Sequence, residues 1–180
     1  NYNGQYDDMS TLTHELGHTM QSYLSNKKQP YPTSQYPIFV AEVASTFNEA
    51  LLIEHMLKII KDDAVRLALL GRYLENIKGT VFRQTQFAEF ELAIHELAEK
   101  GEALTGDKLN DLYMGITKKY YGHDQGVCTV DDEIKVEWAW IPHLYYNFYV
   151  YQYATSFTAS AALSEQVIAG DKTATQKYLD

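Results

Sequence analysis

The residues best suited to chemistry stand together near the start of the chain, at His14-Glu15-Leu16-Gly17-His18. Histidines four positions apart share one face of a helix, so both imidazoles can hold one metal ion. Glu15 sits beside them, placed to take a proton from a water bound to that metal. Short patterns of this kind also recur by chance on amphipathic helices. The helical setting and the acidic residues that follow at workable distances weigh against chance here.

A catalytic zinc needs a third protein ligand and an open fourth position. A histidine ten residues after His14 would indicate the metzincin layout, but that position is Leu24. The next helix offers Glu42 and Glu49, seven residues apart and so on one face. Antiparallel packing of the first two helices would bring that face against the histidines. Glu42, near the start of the second helix, is the expected third ligand. Its alternative is a solvent-facing carboxylate favoured by the helix dipole. Glu49 is either a hydrogen-bond partner of a ligating imidazole or part of a solvated face, and the spacing supports both.

Helical periodicity dominates the elements that must position these groups. Asp7 and Asp8 read as N-caps of a first helix ending near Ser25, and the segment 26–36, with Pro30 and Pro32, reads as a connection. Pro37 suits the first turn of a second helix reaching about Ile60. Asp62 and Asp63 cap a third stretch that continues to Lys100, with Gly71 and Gly79 as places to kink or split it. A fourth helix starts at Thr105 or Asp107 and ends near Tyr121, and Gly122 to Glu137 reads as a loop with a short extended piece. From Pro142 an aromatic helix is expected to run to Gly170, and a last helix begins after Asp171 and continues at Asp180. The expected fold is all-α, with the histidine helix packed on a glutamate-bearing helix and little or no sheet.

The aromatic stretch is the second unusual feature. Trp138-Ala139-Trp140-Ile141-Pro142-His143 leads into Leu144-Tyr145-Tyr146-Asn147-Phe148-Tyr149-Val150-Tyr151-Gln152-Tyr153. Tyr146, Tyr149 or Val150, and Tyr153 fall on one stripe at helical spacing. Core packing by large rings accounts for some of them. A core built for packing alone rarely uses so many hydroxyls, because each buried one needs a partner. Phenol and imidazole donors near a metal would stabilise the oxyanion of a tetrahedral intermediate, a role expected of His143 first. His95-Glu96-Leu97-Ala98-Glu99 imitates the metal pattern but ends in Glu, and with Glu89, Glu91 and Lys100 it reads as a charged outer helix face. His55 and His123 are expected to be structural or exposed.

Composition narrows the class. The chain has 180 residues, 46% of them hydrophobic, which is enough to bury a core and excludes a disordered tail or a disulfide-stapled mini-protein. A formal net charge of -9 repels phosphate backbones, so nucleic acid is not expected as a partner. The single cysteine, Cys128, forbids an intrachain disulfide and suits a reducing, cytoplasmic compartment. The longest uncharged run, between His143 and Glu165, is rich in Tyr, Ser, Thr, Gln and Asn, so no membrane span is expected. The start at Asn1, the lack of a leader and the unfinished last helix suggest an excerpt of something longer.

Several blocks together resemble one family: Asn1-Tyr2-Asn3-Gly4, His14 to His18, Phe39-Val40-Ala41-Glu42-Val43-Ala44-Ser45-Thr46, Ile141-Pro142-His143, and Tyr149-Val150-Tyr151-Gln152-Tyr153-Ala154-Thr155. In this order they are similar to the oligoendopeptidase F family of zinc peptidases, within the thimet oligopeptidase superfamily. The resemblance covers nearly the whole chain but only the catalytic C-terminal portion of that longer family. It implies a largely helical fold, one zinc ion per chain, and a cleft that admits short peptides and excludes folded proteins. It implies His14, His18 and Glu42 as zinc ligands and Glu15 as the catalytic glutamate. His143 and tyrosines of the following helix would hold the substrate carbonyl. The thimet branch carries a glycine-rich turn between that histidine and the tyrosine helix, whereas this chain has Leu144-Tyr145-Tyr146-Asn147-Phe148. Counting back from Tyr151 and Tyr153 favours Tyr153, then Tyr146. The implied partners are short peptides and the missing N-terminal part of the same enzyme.

Two rival classes stand beside a zinc peptidase. A di-iron bundle needs Glu-x-x-His pairs, and the chain has none. A structural zinc site closes its coordination with four protein ligands, and no fourth His or Cys is evident near the motif. A zinc- and peptide-binding helical fragment without catalysis is the third reading, and intact Glu15 argues against it for the whole protein.

Overall fold

The computed structural model describes residues 2–179; Asn1 and Asp180, named above, lie outside the described residues. The described residues form seven α-helices and no strand. They are α1 (Tyr6–Lys28), α2 (Ile38–Ile59), α3 (Asp63–Ile77), α4 (Arg83–Glu99), α5 (Gly106–Tyr121), α6 (Tyr151–Ile168) and α7 (Lys172–Leu179). The all-α expectation holds. The chain divides into two compact units, Asn1–Ile77 with Thr155–Asp180, and Lys78–Ala154.

In the first unit α1 and α2 pack antiparallel. The pairings run in opposite directions along the two helices: the Asn48 side chain donates to the Thr13 carbonyl at 2.7 Å, Gly17 faces Ser45, and Ser22 bonds Tyr36 at 2.5 Å. The start of α1 differs in detail from the expected caps. Gln5 is the capping residue, and the Asp8 carboxylate reaches back to accept the N–H groups of Asn3 and Gln5. Helix α2 buries Ala41, Ala44, Ser45, Thr46 and Phe47, residues from more than one of its faces, which fits a helix covered on several sides. One of those neighbours is α6, whose buried Ser156, Ser160 and Ser164 recur every four residues. Small side chains allow close approach, and their hydroxyls are satisfied locally: Ser156 donates to the Phe39 carbonyl and Thr46 to Ser160, each at 2.8 Å.

The closest approach is at Gly17. A β-carbon there would stand 2.6 Å from the Ser45 Cα and 2.7 Å from the Ala44 carbonyl oxygen, both backbone atoms that cannot step aside. Gly17→Ala is therefore expected to destabilise the chain, although alanine favours helix by ~1 kcal/mol. Overpacking against backbone costs roughly 1–3 kcal/mol or more, and relief requires α1 to move off α2. A lower urea midpoint together with weaker metal binding is the expected result. An unchanged midpoint would show that the two helices do not meet at Gly17.

The second unit has its own core of Phe87 and Phe90 from α4, Tyr113 and Ile116 from α5, and Val150, with Trp138, Ile141 and Leu144 packed against it. Gln86 donates to Thr117 at 2.9 Å while its own Oε1 is buried without a partner among the described residues, and Tyr113 donates to Glu137 at 2.5 Å. Arg83 binds the other oxygen of Glu137. Thr105 caps α5 and Gly122 ends it in the left-handed conformation at φ 63°, which glycine adopts without strain.

Of the two breaks expected in the long third stretch, the one at Gly79 is present, as a five-residue π-helical segment, Lys78–Phe82, whereas Gly71 interrupts nothing. Two expectations about elements need correction. The 122–137 loop holds no strand and passes into a 3₁₀ helix, Asp132–Trp140. The aromatic helix starts at Tyr151 rather than Pro142. Before it lie a 3₁₀ turn, Pro142–Tyr145, and an irregular segment in which Phe148 takes φ 50°, the one non-glycine residue at positive φ among the described residues.

Candidate metal centre

Three helix-borne groups converge in the first unit. The Nε2 atoms of His14 and His18 are 3.2 Å apart, and His14 Nε2 is 3.6 Å from Glu42 Oε2. All three ligand atoms lie within 4.8 Å of one another. Zinc–nitrogen bonds of ~2.0–2.1 Å in a tetrahedron place ligand atoms ~3.4 Å apart, so the spacing fits one zinc ion. The other ring nitrogen of His14 decides the donor chemistry. Its Nδ1 is 3.0 Å from Glu49 Oε1. With Nδ1–H donated to that carboxylate, a neutral His14 carries its lone pair on Nε2. That lone pair faces the Glu42 carboxylate, and two electron-rich atoms so placed are stabilised by a cation between them.

Local structure explains the convergence. The four-residue spacing stacks both imidazoles on the face of α1 that meets α2. Their rings meet edge to face, 4.8 Å between centroids. Glu42 lies in the early part of α2 with its side chain 12% exposed, and Ser45 donates to its Oε2 at 3.2 Å. Glu49, two turns on, bonds His14 on one oxygen and accepts from Asn76 of α3 on the other at 3.4 Å. The hydrogen bond to Glu49 is the main reason the His14 imidazole is raised above its ordinary range. Burial opposes this, and the charges of Glu49, Glu42 and Glu15 add to it. The same negative field that favours a proton there favours a metal cation. Glu15 lies on the solvent-exposed side of the motif.

The remaining candidates lie in the second unit. His143 stacks on Tyr149, 5.6 Å between ring centroids, and meets Tyr153 edge-on at 6.0 Å. Tyr146 contacts Tyr149 at 5.9 Å, and the hydroxyls of Tyr149 and Tyr153 are 3.5 Å apart. Tyr146, Tyr149 and Tyr153 thus meet through a bend rather than along one helix. Tyr149, which the spacing placed on a stripe without singling it out, is central to this cluster. His95 packs on Phe148, His123 accepts the Val130 N–H on Nδ1 at 3.0 Å, and His55 is exposed. The charged outer face expected around His95 is wrong for Glu91, which is 1% exposed. Its place four residues after Phe87 and beside Phe90, on the apolar side of α4, was the available signal.

A helical chain in which two histidines of one helix and a glutamate of the next converge on one point offers the donor set that could hold one metal ion. Comparison with known proteins makes this specific. The sequence pattern of peptidase family M3 matches residues 1–180, and the chain belongs to that family. It is 50% identical over its whole length to the chromosomal oligoendopeptidase F of Lactococcus lactis subsp. cremoris, covering 29% of that protein. It is 49% identical over its whole length to the oligopeptidase PepF of Bacillus subtilis, covering 26% of it. The crystal structure of oligoendopeptidase-F from Enterococcus faecium superposes with a TM-score of 0.80 at 46% identity, over 96% of this chain and 30% of that one. The chain therefore spans under a third of the length of these relatives. No helix among the described residues is long and apolar enough to cross a membrane.

Proposed function

We propose that this chain carries the metal centre of a zinc metalloendopeptidase that hydrolyses internal bonds of short oligopeptides. The observation that carries this reading is the meeting of His14, His18 and Glu42 at one point, with Glu49 orienting His14. Membership of peptidase family M3 supports the peptidase class.

In this reading His14, His18 and Glu42 hold one zinc ion, which when bound lowers the pKa of water towards ~7 and polarises a carbonyl. Glu15, beside the histidines and open to solvent, takes the proton of the attacking water and passes it to the departing amine. His143, with Tyr153 or Tyr146, donates to the substrate carbonyl oxygen as charge builds there. No side chain forms a covalent bond to substrate. The rest of a longer, cytoplasmic enzyme is the proposed partner of this segment and completes the peptide cleft.

A second reading has one observation behind it, the small share of each relative that the chain spans. Under it, the chain binds zinc and peptide but hydrolyses nothing alone. Elemental analysis and a peptide-cleavage assay on the purified chain separate the readings. About one zinc per chain and cleavage abolished by chelation are expected. Zinc without cleavage favours the second reading. A folded chain that binds no zinc sinks both.

A further inference from the structure

Glu91 is the most buried carboxylate of the second unit and the metal centre does not use it. One of its oxygens, Oε1, accepts the backbone N–H of Phe148 at 2.7 Å. The other, Oε2, is buried with no hydrogen-bond partner among the described residues. A carboxylate in such a place is costly, and burial pushes its carboxyl above the usual carboxylate range against the opposing Phe148 N–H and His95. An apolar residue would pack beside Phe87 and Phe90 at no such cost.

What the carboxylate holds is unusual in its own right. Phe148 sits at φ 50°, a conformation that bulky residues avoid. No glycine eases the turn, and its neighbours make short-range backbone bonds, such as Tyr146 to His143 and Tyr149 to Tyr146, each 3.1 Å. Two fixed points flank Tyr149. On one side Val150 is fully buried in the core. On the other, the Phe148 N–H is tied to Glu91, and its ring lies 4.6 Å from His95 of the same helix. Tyr149 then stacks on His143.

We propose that Glu91 is a positioning residue. Its buried carboxylate holds the left-handed turn at Phe148 and thereby sets Tyr149, the ring on which His143 stacks. The substrate role of His143 rests on the function proposed above; the positioning of Tyr149 and His143 does not.

The test has two arms, each applied to Glu91→Ala and the near-isosteric Glu91→Gln. By NMR, the Phe148 amide proton should shift in Glu91→Gln, where its acceptor is replaced, and lose exchange protection in Glu91→Ala. Ring signals of His143 and Tyr149 should shift with it, while those of His14 and His18 stay. In peptide hydrolysis, Glu91→Ala should lower kcat roughly 10–100-fold with KM and zinc content little changed, as expected for misplaced groups. Glu91→Gln, which keeps an acceptor, should recover most of that loss. A Phe148 amide unmoved in Glu91→Gln overturns the proposal, and that variant decides it even if Glu91→Ala does not fold. So does a kcat loss in Glu91→Gln as large as in Glu91→Ala. If the wild-type chain cleaves nothing, the functional reading is what fails, and the NMR arm still decides the positioning.

Discussion

Glu15→Gln should bind zinc as the wild type does and hydrolyse peptides roughly 10³-fold more slowly. The substitution keeps the shape of an exposed side chain on α1, so neither the packing of α1 on α2 nor the three ligand atoms should be disturbed. What is lost is a group that takes up a proton. Positioned general bases contribute roughly 10²–10⁴-fold, and a thousandfold loss is ~4 kcal/mol of barrier. The loss should fall on kcat, since in the proposed function Glu15 meets the reacting water rather than the remote parts of a peptide. Paired measurements of zinc content and kcat check this. Turnover within a few-fold of wild type, at full zinc loading, would place the proton acceptor elsewhere.

Glu42→Ala should have the opposite signature, a chain that folds and does not retain zinc. The variant leaves two imidazoles 3.2 Å apart with no anionic partner at the open corner. Losing a direct ligand should weaken affinity by more than the 10–100-fold typical of losing a group that only orients one. Glu49→Ala supplies that comparison, because Glu49 reaches Nδ1 of His14 and not the point where the ligand atoms meet. Zinc retention after dialysis against a metal buffer, with helicity followed by circular dichroism, should therefore rank wild type above Glu49→Ala above Glu42→Ala. The reverse order for the two variants would exchange their roles.

Much of this was readable from local pattern. Helices α1 and α2 follow from apolar spacing, an acidic first turn and Pro37, because such signals act within a few residues. The metal motif was legible for the same reason: a four-residue spacing is a statement about one helix face. Glu42 and Glu49 were legible as a pair because seven residues return to the same face. Glu42 was expected nearest the ligand atoms and Glu49 as a possible partner of an imidazole; which histidine Glu49 meets, and through which ring nitrogen, was not legible, since that depends on how far α2 is slid along α1. The slide is set where the helices touch, at Gly17 against Ser45, a contact between residues 28 positions apart.

The aromatic segment marks the other limit. Its composition, without glycine and with Pro142 at the front, describes a helix start to any local reading. Two distant interactions divert it, Val150 entering the core and the Phe148 N–H meeting Glu91, 57 residues away. Glu91 itself stood in a run of charges and read as solvated, because sequence neighbours report composition while burial is decided by which side of α4 meets α5. By itself, then, the sequence determined the helical class, the candidate ligand residues and the family resemblance, all properties of spacing along one chain. Tertiary structure alone decided the partner of each imidazole nitrogen, the close approach at Gly17, and the turn that stacks Tyr149 on His143. Each of those depends on contacts between helices, whose energies no local window contains.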